Sequence, residues 1–235
     1  MASGYRAGGP NAAPGTPPQY KPDKTENYEL GVKGDFFDHV LSVDASAYYI
    51  RWQDIQLSLA DPISHQVYVA NGSAAKSQGV ELSVDLRPLR GMTVSAWADW
   101  SEAKLTQSFP TDTAAYGVPG SRLPLSARFS GHFAINQEFP LVGEWTGFAG
   151  GAVSYVGDRL SVFAPTAQTA RQDFPAYGKT DLRLGVRHDV WTATVYCNNV
   201  ANIHGLVGGG QGYFPPYAFQ YIQPRIVGLN VIRTF

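Results

Sequence analysis

Hydrophobic and polar residues alternate along most of this chain with a period of two. Between His39 and Trp52, the residues Leu41, Val43, Ala45, Ala47 and Tyr49 fall on one side, and Ser42, Asp44, Ser46 and Tyr48 on the other. A helix would scatter these two sets around its circumference, whereas a strand separates them onto opposite faces. The pattern recurs downstream. Val80, Leu82, Val84 and Leu86 oppose Glu81, Ser83 and Asp85, and Met92, Val94, Ala96, Ala98 and Trp100 oppose Thr93, Ser95, Trp97, Asp99 and Ser101. Phe129, Phe133 and Ile135 oppose Ser130, His132 and Asn136. Leu182, Leu184 and Val186 oppose Asp181, Arg183 and Gly185, and Val227, Leu229 and Val231 alternate with Gly228 and Asn230. Apolar spacing of the helical kind is hard to find in these windows.

The alternation predicts about nine strands, near 25–34, 39–58, 66–87, 91–105, 122–138, 143–157, 176–187, 189–200 and 220–235. Many exceed the usual ~5–6 residues and reach the ~9–11 that a tilted membrane-spanning strand needs. The intervening segments alternate in length. Short ones fall at 34–38, 88–90, 139–142 and 188, and longer ones at 59–65, 106–121, 158–175 and 201–219. An up-and-down meander with one tight side and one elaborate side has this layout, as outer-membrane barrels do. With the terminal Phe235 at the periplasmic edge, every long connection falls outside. Residues 1–24, rich in Gly, Pro and Ala, read as a loop or the end of a preceding hairpin.

Composition sharpens this picture. Charged residues make up 16% of the chain, against about 25% in ordinary soluble domains. Aromatics reach 13% and glycines number 25, as suits an all-β protein with a lipid-facing surface. The formal charge of −1 gives no footprint for nucleic acid. The single cysteine, Cys197, excludes an internal disulfide and shares the apolar face of Trp191, Ala193 and Val195. There is no apolar run long enough for a transmembrane helix, and the first residues contain no secretory h-region. Asp44, Glu81, Asp85, Asp99, Arg128, Asp181 and Arg183 recur on the polar face. That many charges require a wide lumen, either wet or filled by a polar domain.

Catalytic chemistry finds little support. The stretch Asn71–Leu82, NGSAAKSQGVEL, offers Lys76 and Ser77 as a phosphate loop would, but Gly79 follows them and a strand comes next. His39, His65, His132, His188 and His204 show no metal-ligand spacing. Cys197 lacks a basic partner nearby in sequence. Acid pairs such as Asp181 with Glu81 read as lumen lining, not as glycosidase carboxylates. The expectation is no catalytic residue, no cofactor and no metal site. Tyr49, Trp52, Trp100, Trp145, Tyr155, Tyr177, Trp191 and Phe235 lie near strand ends or on outward faces, as an interfacial girdle would. Tyr48 and Trp97 point the other way, and the alternation gives no account of them.

Several segments in order resemble a known family. YKPDKTENYELGVKGDFFDHV leads into the aromatic-rich strand Tyr48-Tyr49-Ile50-Arg51-Trp52. Asn71, Ala75, Gly79, Val80 and Glu81 follow, then KTDLRLGVRHDVWTATVYCNNVANIHG and the closing PRIVGLNVIRTF. Together these resemble the C-terminal barrel of TonB-dependent outer-membrane receptors over residues 20–235, and GYRAGGPN resembles an earlier hairpin of iron-siderophore members. The resemblance implies an all-β, antiparallel up-and-down transmembrane barrel portion, about nine strands of a barrel of about 22. It implies uptake of a ferric siderophore or similar chelate across the outer membrane of a Gram-negative bacterium.

The family's plug and TonB box have no counterpart here, so the chain is expected to be a C-terminal fragment that alone neither transports nor binds TonB. Its expected partners are outer-membrane lipid, the remaining N-terminal strands and plug of the same receptor, and TonB through that plug. The barrel-assembly machinery would read the closing strand at Phe235, although Arg233 stands where that signal has an aromatic. Ligand contacts are expected from the long loops, at Tyr116, Arg171, Tyr213, Phe214 and Tyr217, because aromatics and an arginine suit a flat anionic chelate. Two alternatives stay open at this level: a small autonomous porin-like barrel and a soluble β-sandwich.

Overall fold

A computed structural model describes residues 1–60, 66–111, 113, 115–210 and 218–234. Its main feature is one 10-stranded sheet in which every neighbour is antiparallel. In spatial order the strands are Ala2–Arg6, Asp23–Phe36, Leu41–Gln53, Ala75–Leu86, Met92–Leu105, Phe129–Pro140, Thr146–Val156, Tyr177–His188, Trp191–Asn198 and Ile226–Arg233. Spatial order follows chain order, so the meander is up-and-down, and the two end strands are not paired with each other.

The sheet has two unlike faces. On one, register rows run through Leu30, Ala47, Val80, Trp100 and Phe129, and through Val32, Ala45, Leu82 and Ala98. Leu30 is 81% exposed and Leu229 67%. A row of apolar side chains left this open on one wall is suited to lipid, not water. The other face carries Lys33 bonded to Asp44 at 3.1 Å, Lys179 to Asp181 at 2.9 Å and Arg187 to Glu138 at 3.0 Å. The two inward aromatics are now explained. The ring of Trp97 stacks on His132 with centroids 6.3 Å apart, and the Tyr48 hydroxyl lies over Gly79.

One end of the sheet has tight turns. Phe37, Asp38 and His39 all take left-handed backbone, and Asp189 turns the 177–188 and 191–198 strands in the same way. Gly91 is required at its turn, since its φ is +75° and a Cβ would come within 2.5 Å of the Glu138 carbonyl. The opposite end carries the described residues of 7–22, 54–74, 106–128, 157–176 and 199–225.

Four expected strands in particular are shorter than the alternation suggests. The stretch 122–138 is observed as Phe129–Pro140, and 220–235 as Ile226–Arg233, with Ala218–Tyr221 paired to Leu206–Gly210 in a separate hairpin. The stretch 39–58 divides into Leu41–Gln53 and Gln56–Ala60, and 66–87 into Val67–Asn71 and Ala75–Leu86. Gln56–Ala60 pairs with Val67–Asn71 as a hairpin of its own. Asp54 and Ser73, with φ of 53° and 74°, break the wall on either side. A tenth wall strand, Ala2–Arg6, pairs with Asp23–Asn27, and a small hairpin joins Gly9–Pro10 to Gln19–Tyr20. The side chain of Asn11 bonds both the N–H and the carbonyl of Val69, and Asn71 does the same to Lys21, so this first loop is latched to the 54–74 hairpin.

Candidate functional site

The buried apolar side chains of the described residues lie in the long loops and at the wall-strand ends beside them, not between sheet layers. Ile55, Ala75 and Leu105 form a small core against which Trp52, Leu57, Phe109, Leu123 and Phe163 pack. These residues come from five separated stretches, at 52–57, 75, 105–109, 123 and 163. Trp52 and Leu105 share the parity of Tyr48 and Trp97, so they project to the polar, inward side at the ends of their strands. Among them opens a hollow of about 490 Å³, with Arg6, Gln56, Ser58 and Thr113 among its polar members.

Arg6 does not leave a free charge in this hollow. Its guanidinium meets the Asp23 carboxylate at 2.6 Å, and Asp23 also accepts from the Trp52 indole N–H at 3.2 Å. Asp23 is 3% exposed, so the ion pair fixes the Trp52 ring at the rim. Phe109 and Phe163 meet edge to face, centroids 4.9 Å apart. The arrangement presents flat apolar walls with a neutralised polar rim. Such walls accept an organic ring or aliphatic arm, and the indole, fixed in place, senses whatever enters.

Arg171 stands behind this surface. Its guanidinium lies 4.7 Å from the Phe163 ring centroid. Its N–H groups donate to the carbonyls of Arg122 at 2.6 Å, Ser161 at 2.5 Å and Val162 at 3.3 Å. Burial, with the nearby Arg122 charge, lowers its pKa from the ordinary arginine value. Tyr116 is tied to the same loop through its N–H, which donates to Ala164 at 2.5 Å, while its side chain is 43% exposed. The structure therefore brings Tyr116 and Arg171 to one loop assembly, with Arg171 turned to backbone carbonyls. Tyr213, Phe214, Tyr217 and Phe235 lie outside the described residues.

Sequence reasoning placed Trp52 with the girdle aromatics and passed over Phe109, Leu123 and Phe163. A signal existed for Trp52, whose parity within its strand is that of Tyr48 and not of Tyr49. No local pattern marks the other three, because long-range loop packing brings them together. Among the described residues, no group of three His, Cys, Asp or Glu is placed to hold a metal ion.

A model of the family described as TonB dependent receptor-like, beta-barrel, matches residues 1–200. The fold is similar to that of the ferric yersiniabactin uptake receptor FyuA from Yersinia pestis, with a TM-score of 0.78 at 23% identity, covering 100% of this chain and 34% of that one. It is also similar to the siderophore receptor PiuA from Acinetobacter baumannii, with a TM-score of 0.70 at 16% identity, covering 91% and 28%. The ferripyoverdine receptor of the outer membrane of Pseudomonas aeruginosa gives 0.68 at 17%, covering 91% and 27%. The chain thus spans about a third of the length of these solved receptors or less.

Proposed function

The chain belongs to the TonB dependent receptor-like β-barrel family, and from that membership we propose that it forms part of the wall of an outer-membrane uptake receptor for a ferric siderophore or similar chelate. The observation that carries the cargo class is the aromatic hollow at the long-loop end, lined by Trp52, Phe109 and Phe163. Its neutral apolar walls suit the organic shell of a chelate. The long loops face the exterior in this reading, and the tight turns face the periplasm, as in other outer-membrane barrels.

Uptake by this reading needs more wall than the ten strands supply. A sheet with two open edges does not seal a lumen, and lipid does not satisfy the open backbone groups. Further strands and a plug complete the receptor, TonB acts through that plug, and the closing strand engages the assembly machinery. Tyr116, beside the 157–176 loop, contributes to the ligand surface, and Arg171 serves by holding Phe163.

The test uses the indole of Trp52. The protein is titrated in detergent with a panel of ferric chelates, and tryptophan emission is followed. At least one chelate is expected to quench emission saturably, and Trp52→Phe is expected to remove most of that change. Saturable quenching that survives Trp52→Phe unchanged would take the hollow out of the binding site. A panel without any saturable response would sink the cargo assignment.

A further inference from the structure

Beyond the apolar belt, the outward side of the wall carries a row of cations. Arg51 is the register partner of Lys76, and Lys76 of Lys104. Arg122 continues the row through its bridge to Lys104. Register partners on antiparallel strands project from one face. Lys76 has the parity of Val80 and Leu82, so the row stands on the lipid-facing side, toward the long loops. Neighbouring strands lie about 4.8 Å apart, so four positions span about 15 Å.

The carboxylates in this region do not balance the cations. Lys104 meets Glu102 at 3.0 Å, Arg122 meets Asp158 at 2.7 Å, and Glu26 is the register partner of Arg51. Four cations thus face three carboxylates, an excess of one positive charge. The aromatic level lies directly beneath. The Tyr49 ring sits between Arg51 and Lys76, 5.7 Å and 5.8 Å from its centroid. Trp100 and Phe129, 52% and 45% exposed, mark the start of the apolar rows.

Aromatic rings at this position mark the depth of lipid headgroups, and long basic side chains above them reach toward phosphates. We propose that the row Arg51–Lys76–Lys104–Arg122 binds the phosphate-bearing headgroup of an outer-leaflet lipid whose chains lie along the apolar rows. A soluble anion would use the charges and leave the adjoining aromatic and apolar surface idle, whereas a lipid uses both. The inference rests on the outer-membrane placement proposed above and is independent of the cargo.

The receptor, with the further strands and plug that the proposed function calls for, is produced in cells, the outer membrane is fractionated, and the receptor is extracted in mild detergent. Co-purifying phosphorylated lipid is then counted per protein by mass spectrometry and phosphate assay. Absence from the outer-membrane fraction would overturn the placement itself, before any lipid is counted. Wild-type protein is expected to retain phosphorylated lipid, and Lys76→Gln with Lys104→Gln to lower it at least about tenfold. Arg87→Gln, at the tight-turn end, serves as control and is expected to change it less than about twofold. Undiminished lipid in the double variant, or an equal loss in the control, overturns the proposal. Displacement of the lipid by inorganic pyrophosphate at equal concentration overturns it in favour of free phosphate. Should the double variant fail to fold, Lys76→Arg with Lys104→Arg keeps the charge and is expected to keep the lipid, and its loss there counts against the row.

Discussion

The hydroxyl of Tyr48 lies 2.7 Å from where a Cβ on Gly79, its register partner on the next strand, would stand. The Trp100 carbonyl lies 2.5 Å from the same point, on the far side. Gly79 is therefore held between a ring and a backbone. The arrangement repeats on the inward face, with Phe148 across Gly185 and Tyr196 across Gly228. An aromatic laid over a strand glycine covers backbone that would otherwise be bare, and it pins the register of the pair.

Gly79→Ala is accordingly expected to destabilise the barrel wall by about 1–3 kcal/mol, the range of overpacking effects. The measure is the denaturant midpoint of the heat-modifiable, folded form. The ring can move aside but the Trp100 carbonyl cannot without shifting a strand. Adding Tyr48→Ala is therefore expected to recover only part of the loss. Full recovery would show that the ring, and not the backbone, sets the requirement for glycine.

How much of this was legible beforehand follows from what imposes each pattern. Lipid on one face and a polar lumen on the other force a two-residue period, so the wall strands from Asp23 to Arg233 stand in the residue order itself. The 54–74 hairpin was hidden because Gln56–Ala60 and Val67–Asn71 continue as extended strand, and only the backbone at Asp54 and Ser73 marks the break. Ala2–Arg6 was hidden because ASGYR is short and has almost no apolar alternation, its strand character coming from pairing with Asp23–Asn27. The aromatic hollow was hidden for a different reason. Phe109, Leu123 and Phe163 meet Trp52 only through loop packing over long sequence separations, and the direction of Arg171 is set by carbonyls at 122, 161 and 162.

Arg171 yields a prediction that separates bracing from direct ligand contact. Arg171→Ala removes hydrogen bonds to three carbonyls and the cation over Phe163. Limited proteolysis within 157–176 is expected to accelerate about tenfold or more, as the loss of even one or two charge-assisted bonds of ~1.5–3 kcal/mol would allow. Arg171→Lys keeps the charge but not the planar fork, so it is expected to restore little of the protection. Unchanged proteolysis in both variants would remove the bracing role.

Asn199 is the most completely enclosed polar side chain of the described residues, at 1% exposure. Its amide donates to the carbonyls of Ile203 and Gln223, both at 2.9 Å, and its side-chain oxygen accepts from the Ile203 N–H at 2.8 Å. Its backbone N–H donates to Asp181 at 2.8 Å, which ties the corner to the inward face. Asn199→Ala leaves the carbonyls of Ile203 and Gln223 and the Ile203 N–H without these partners, at about 1–3 kcal/mol for each one that stays dry. Asn199→Asp is nearly isosteric yet is expected to be worse, because it turns a carboxylate oxygen toward two carbonyls. The comparison is made on folded yield and denaturant midpoint, and an aspartate variant as stable as wild type would contradict the assigned bonds.

The Arg122–Asp158 tie predicts an acid dependence confined to the long loops. Arg122 donates to the Asp158 carboxylate at 2.7 Å and also to its backbone carbonyl. The hydrogen bond and charge of Arg122 hold the carboxyl below its ordinary range, with Arg128 adding to the effect. A group with a lowered folded pKa stabilises the fold above its unfolded value, about 3.9 for aspartate, and the contribution is lost as pH falls through the folded value. Because the Asp158 side chain is 69% exposed, solvent screens the pair and the effect is small. Amide hydrogen exchange within 157–176, corrected for its intrinsic pH dependence, is therefore expected to rise modestly between pH 5 and pH 3 (roughly, from those aspartate values). Exchange in the wall strand 92–105 is expected to change less. Asp158→Asn retains the backbone carbonyl contact and loses the titrating group, so its loop exchange is expected to be flat over the same interval. If wild type and Asp158→Asn respond to acid alike, some other carboxylate governs the loop and this ion pair does not.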